Sequence, residues 1–225
     1  MIAASTEMPK SAAIFATARD ELFAAFQSAS PVDAVPLPEA YAALADTYFR
    51  ERLAECEADG LVPKGAFCVT AVGGYGRSEL CPRSDLDILI LTKRAPGRKI
   101  EPLCKALFHP LWDLGLELGH GVRDIGGCIK LAMQDFKVLA SLLDIRFLWG
   151  DESLLDAFHA KFLPKAQKQA QPFLQWMEEG RSNRLQRFGG ADALLEPELK
   201  NGLGGLRDYH QVLWLGRLAF GTTGN

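Results

Sequence analysis

Asp85 and Asp87 stand two positions apart at the head of an aliphatic run, and a glycine-rich stretch precedes them: residues 71–91 read AVGGYGRSELCPRSDLDILIL. On a strand, alternation places both acids on one face with their backbones roughly 6–7 Å apart. Two carboxylates so placed repel each other, and a hard divalent cation resolves the repulsion. Mg2+ takes oxygens from one or two carboxylates and completes its shell with substrate phosphates. The glycines, at the end of the preceding strand, leave backbone N–H groups open to phosphate oxygens, and Arg77 adds a forked donor. Asp85 and Asp87 are therefore the candidate metal ligands and catalytic groups, and Gly73, Gly74, Gly76, Arg77 and Ser84 the candidate nucleotide contacts. A glycine turn alone is often only a corner, and an acid pair alone is often only solubilising charge. It is their succession that points to a metal–nucleotide site.

The elements that must hold these residues follow from periodicity. FCVTAV from Phe67, ended by Gly73-Gly74, and ILILT after the acids read as strands, the second apolar enough to be buried on both faces. IEPLCKALFHPLWDLG reads as a helix disturbed by Pro110, and LELGHGV as a third strand. Asp124 is placed to cap a long helix in which Ile129, Met133, Phe136, Ala140 and Leu143 share a face, with Gly150 as its stop. Upstream, Ile14, Phe15, Ala18, Leu22 and Phe26, then Tyr41, Leu44, Tyr48 and Leu53, predict two amphipathic helices separated by SASPVDAVPLP. Beyond Gly150 the chain reads as helical, broken at FGGADALLEPELKNGLGG and resumed from about Arg207 to Phe220. The expected fold class is α+β: a helical region over 1–60, a small mixed-sheet core over 61–150, and a helical substrate-binding region over 151–225.

Bulk properties exclude several functions. The 225 residues are 48% hydrophobic, sufficient for a sizeable core, and a net charge of −3 gives no basic surface for nucleic acid and no polybasic membrane patch. Nowhere do eighteen apolar residues run together, and the amino terminus lacks the apolar run of a signal peptide. The five cysteines, Cys56, Cys68, Cys81, Cys104 and Cys128, are odd in number, scattered and without a C-x-x-C pair. They read as free thiols of a cytoplasmic protein.

The order glycine turn, short spacer, Ser84, then D-x-D leading into a strand resembles the DNA polymerase β-like nucleotidyltransferase superfamily. VGGYGRSEL with SDLDILIL, then LWDLGLELGHGVRD, then LKNGLGGLRDYHQVLWL is similar to the amino-terminal transferase portion of the bacterial PII uridylyltransferases, over about residues 61–220. The chain departs from that pattern at Ser78, where glycine is expected, and at Asn201–Gly205, where a Glu-Gly-Pro-Gly-Gly run is expected. The resemblance implies two Mg2+ ions on Asp85 and Asp87, UTP as donor, and a tyrosine of the PII signalling protein as acceptor. It also implies a third carboxylate on a neighbouring strand, for which Glu117 ranks above the helix-capping Asp124. Members of that family continue into an HD-type phosphohydrolase domain and ACT sensing domains. Here the chain ends soon after Phe220 and contains no His-Asp dipeptide, so the expectation is a fragment with transferase activity alone.

Further candidates carry less. The loop KNGLGGLRD opens a helix whose free N–H groups suit an anion, with Lys200 and Arg207 flanking it as second-tier nucleotide contacts; a plain interhelix turn is the alternative. His120, beside glycines, reads as a structural residue as readily as a phosphate contact, and Arg181, Arg184 and Arg187 read first as a solvated helix face. Three functions stay open from residues and resemblance together: a UTP-dependent transferase acting on PII, the same chemistry on another protein or small-molecule acceptor, and a non-catalytic nucleotide-binding module.

Overall fold

The computed structural model describes residues 8–29, 36–188 and 198–221. Residues 30–35 and 189–197, in the two expected breaks, lie outside the described residues. Helices α1 (Lys10–Ser28) and α2 (Leu37–Ala58) lead into strand β1 (Phe67–Ala71), a single turn α3 (Gly73–Gly76) and strand β2 (Leu86–Thr92). Helix α4 (Glu101–Asp113), strand β3 (Leu118–Asp124), helices α5 (Ile125–Ala132) and α6 (Phe136–Leu143), and strand β4 (Arg146–Gly150) follow. The chain closes with α7 (Glu152–Gln167), α8 (Ala170–Phe188) and α9 (Leu206–Phe220).

The sheet has the order β3-β2-β1-β4. Strand β1 is antiparallel to both β2 and β4, whereas β2 and β3 run parallel, in a register that sets Asp87 opposite Gly119. The alternation along β2 divides the core. Leu86, Ile88 and Ile90 pack with α1, α2 and α4 on one face, and Leu89 and Leu91 pack with α5 to α9 on the other. Asp87 belongs by parity to the second face, so the helices after β3 surround it. The α+β architecture with a small mixed sheet agrees with the expected class. Among the described residues no helix is long and apolar enough to cross a membrane, and all five cysteines are free.

Several elements differ from the expectation. Pro110 does not break α4: the helix continues through it, and the Ala106 carbonyl, which a proline cannot bond, accepts from Arg52 Nε at 2.9 Å instead. The expected long helix after Asp124 is two helices, because Asp135 accepts from the Lys137 N–H and caps a fresh start at Phe136. Gly150, with φ of 105°, ends a short strand rather than a helix. In α1, Phe15 is buried while Ile14 and Phe26 stay exposed, so the packed stripe runs through Ser11, Ala12 and Phe15.

Candidate active site

The glycine turn is fixed at both ends. The Val72 N–H donates to the Asp87 carbonyl at 3.0 Å, tying the exit of β1 to the entry of β2. Tyr75 points inward, fully buried, and its hydroxyl donates to Asp46 at 2.7 Å. Arg146 lies over the Tyr75 ring and bonds Asp46 and the carbonyls of Tyr75 and Gly76. Burial and the neighbouring Asp46 hold the Tyr75 phenol far above its ordinary range. Among the described residues the N–H groups of Gly73 and Gly74 donate to no protein group. Gly73 has φ of 59°, a left-handed conformation that glycine adopts without strain.

Asp87 sits in a notch made by glycines on either side. A methyl group on Gly119 would lie 2.0 Å from Asp87 Oδ1, and one on Gly73 would lie 3.2 Å from Asp87 Oδ2 and 3.5 Å from Ser141 Oγ. Only hydrogen at these two positions leaves the carboxylate where it is. Burial, and then the charge of Asp85, push the Asp87 carboxyl up to about 6. Asp85 is exposed just ahead of β2, and Ser84 beside it accepts from the Cys81 N–H at 3.2 Å, closing the loop that delivers the acid pair. A pair of carboxylates short of positive charge fits Mg2+ brought in with phosphates, since that ion retains several non-protein ligands.

Glu117 is exposed one residue ahead of β3, where its carbonyl accepts from the Leu86 N–H at 3.0 Å. Among the described residues no three acidic, histidine or cysteine side chains converge as a metal cluster. Asp124 lies at the far end of β3, opposite Thr92, and caps α5 through the Gly127 N–H at 2.7 Å. His120 packs against the rings of Phe108 and Trp112, on the sheet face away from Asp87.

Arg77 is placed differently from the expectation. Its side chain is 8% exposed and faces inward, with Nη1 on Asp144 and Nε on Glu79 at 2.8 Å. Asp144, fully buried, also accepts from Arg217 and from Trp214 Nε1 at 2.9 Å. Burial pushes the Asp144 carboxyl up while Arg77, Trp214 and Arg217 pull it down; with two guanidiniums in contact, the ionised form is the one this pocket holds. Burial works against the Glu79 carboxylate, yet hydrogen bonds from Arg77 and His210 hold it below its usual range. Burial and Arg77 keep His210 below its ordinary value, so the imidazole is neutral, with Nε2–H donating to Glu79 at 2.8 Å. The guanidinium thus clamps α9 against the glycine turn rather than pointing to a phosphate. Gly76 has a comparable structural reason: a methyl there would sit 1.9 Å from the Asp144 carbonyl oxygen.

The clamp holds α9 against Arg77, Glu79 and Asp144 through His210, Trp214 and Arg217. Arg207 is half-buried, and burial, Arg184 and Arg77 all lower its proton affinity. Among the described residues it pairs with no carboxylate. Arg77 Nη2 lies 3.9 Å from a methyl position on Gly74, and the charge of Arg77 also acts on Arg207. Lys200 is exposed on the loop before α9, its carbonyl accepting the Arg207 N–H at 2.9 Å; its side chain has no ion pair among the described residues. The structure thus gathers Asp85, Asp87, Gly73 and Gly74, leaves Arg207 within electrostatic reach of Arg77, and adds Gly119 and Ser141, which sequence reasoning missed. A glycine inside a strand signals close approach of another group, and the GHG of β3 carries that signal.

Comparison with known proteins covers both halves of this site. Residues 18–123, which include β1, β2, all but the last residue of β3 and the acid pair, match the nucleotidyltransferase family DUF294, and residues 172–224, which include α9, match GlnD PII-uridylyltransferase. The chain belongs to the PII uridylyltransferase family. It is 37% identical over 210 residues to the bifunctional uridylyltransferase/uridylyl-removing enzyme of Burkholderia thailandensis, covering 93% of this chain and 23% of that protein. Proteins of the same name from Rhodospirillum rubrum and Novosphingobium aromaticivorans are 38% and 37% identical over 69% and 66% of this chain. The chain spans 17% and 16% of the lengths of those two uridylyltransferases.

Proposed function

We propose that this chain transfers UMP from UTP to a tyrosine of a PII signalling protein in the cytoplasm, with Mg2+ as cofactor and pyrophosphate as leaving group. The observation that carries the reading is a charge mismatch with two poles. Asp87, beside Asp85, is short of positive charge, and Arg207, among arginines, is short of negative charge. A metal–triphosphate would satisfy both at once, with the glycine turn beside Asp87 to take its phosphates.

In this reading the open N–H groups of Gly73 and Gly74 take phosphate oxygens, Arg207 draws the terminal phosphates towards α9, and Asp85 and Asp87 hold the metal. The bound Mg2+ supplies Lewis-acid stabilisation of charge on the α-phosphate and on departing pyrophosphate. The tyrosine oxygen forms a bond to the α-phosphorus, the bond from that phosphorus to the bridging oxygen of the β-phosphate breaks, and the phenolic proton passes to water. Gly119 and Gly73 keep Asp87 aimed, which matters because displacement by about 1 Å costs on the order of a hundredfold in rate. Incubation of the chain with PII protein, Mg2+ and labelled UTP, beside ATP and CTP, tests the reading. Label on PII from UTP, lost in Asp85→Asn and Asp87→Asn, is expected; equal labelling by both variants would refute it.

A further inference from the structure

The carboxy-terminal half of α6 backs the whole glycine turn. The Asp144 carboxylate takes Arg77, its carbonyl abuts Gly76, and one helical turn earlier Ser141 presents its hydroxyl to Gly73. Several helical hydroxyls elsewhere in this protein have protein partners: Thr17, Ser28 and Thr47 each bond the carbonyl four residues back, at 3.2, 3.0 and 3.0 Å, and Ser11 donates to Glu55 at 2.8 Å. Ser141 does otherwise. It is half-buried, its neighbours Leu139, Ala140, Leu142 and Leu143 are buried apolar groups, and its hydroxyl has no hydrogen-bond partner among the described residues. Alanine would pack there equally well and favours a helix more than serine does. The hydroxyl therefore contributes nothing to the fold that alanine would not, and it borders the notch that holds Asp87 Oδ2.

We propose that Ser141 is a further substrate-site residue, whose hydroxyl donates to an anionic oxygen of the metal–triphosphate, or to a water on its metal, in the notch between Gly73 and Asp87. This rests on the metal–nucleotide reading of the site. Calorimetry of the full chain with Mg2+ and UTP separates the two: absence of binding by the unmodified protein defeats that reading, whatever Ser141 does. Given binding, Ser141→Ala is expected to weaken affinity for Mg·UTP by at least about tenfold, as for loss of a hydrogen bond to a charged oxygen, with an unchanged or higher melting temperature. Ser141→Thr, which keeps the hydroxyl, is expected to bind within about threefold of the unmodified protein. Binding by Ser141→Ala within about twofold, or equal loss in both variants, would overturn the proposal. Titration of Mn2+ alone, followed by its electron paramagnetic resonance signal, locates the contact: weakened Mn2+ binding in Ser141→Ala assigns it to the metal's water, and unchanged binding assigns it to the phosphate.

Discussion

Asp87→Asn should stabilise the ligand-free protein while abolishing transfer. The carboxyl is pushed from its ordinary 3.8 up to about 6 by burial and by Asp85. At about 1.36 kcal/mol per tenfold change in proton affinity, that gap corresponds to roughly 3 kcal/mol. The group is only half-buried and solvent screens it, so about 1–2 kcal/mol is the realistic size. The folded protein holds this proton more tightly than the unfolded chain does. The cost of ionisation is therefore absent below about pH 4, grows as pH rises towards 6, and is complete above 6. Asparagine carries no such cost. In EDTA at pH 8 the variant should melt about 2–8 °C above the unmodified protein, and the difference should shrink steadily as the buffer is taken down to pH 5 and then 4. Saturating Mg·UTP should reverse the order, because only the unmodified protein gains stability from the ligand. Equal or lower stability of the variant at pH 8, or a difference that does not change with pH, would refute the electrostatic account of the site.

Gly119→Ala, with its methyl 2.0 Å from Asp87 Oδ1, should displace the carboxylate and lower kcat/KM by about a hundredfold or more, read by steady-state UTP kinetics on a variant with a normal circular dichroism spectrum. Arg207→Ala should raise the KM for UTP about tenfold or more, as for loss of a charge-assisted contact, and leave the melting temperature equal or higher because it removes a half-buried cation with no carboxylate partner. Asp144→Ala strands Arg77 and Arg217 in a buried pocket and should cost about 3–5 kcal/mol in urea unfolding, releasing α9 from the glycine turn.

The parts of this molecule that depend on neighbouring residues were legible. The runs FCVTAV and ILILT declared β1 and β2, and Asp124 announced the cap of α5. What escaped depends on distant partners. Arg77 turns inward because Asp144 lies 67 residues further along the chain, and no local pattern carries that information. The split between α5 and α6 is hidden because Ile129, Met133, Phe136, Ala140 and Leu143 keep a helical period across it, while the real boundary is one capping side chain, Asp135. Strand β4 has only five residues between two helices, too few to reveal a period of two. Gly119 meets Asp87 through the parallel register of β3, and Ser141 meets Gly73 through the packing of α6, neither of which a local pattern reveals.

The central claim is that Asp85 and Asp87 hold a divalent cation that carries a nucleoside triphosphate over the glycine turn. Crystals grown with Mn2+ and a UTP analogue that cannot be cleaved at the α-phosphate test it directly through the anomalous signal of the metal. The expected map has a Mn2+ peak within bonding distance of both carboxylates, with the triphosphate running past Gly73 and Gly74 towards Arg207. A nucleotide bound elsewhere, or a metal peak that touches neither aspartate, would contradict it.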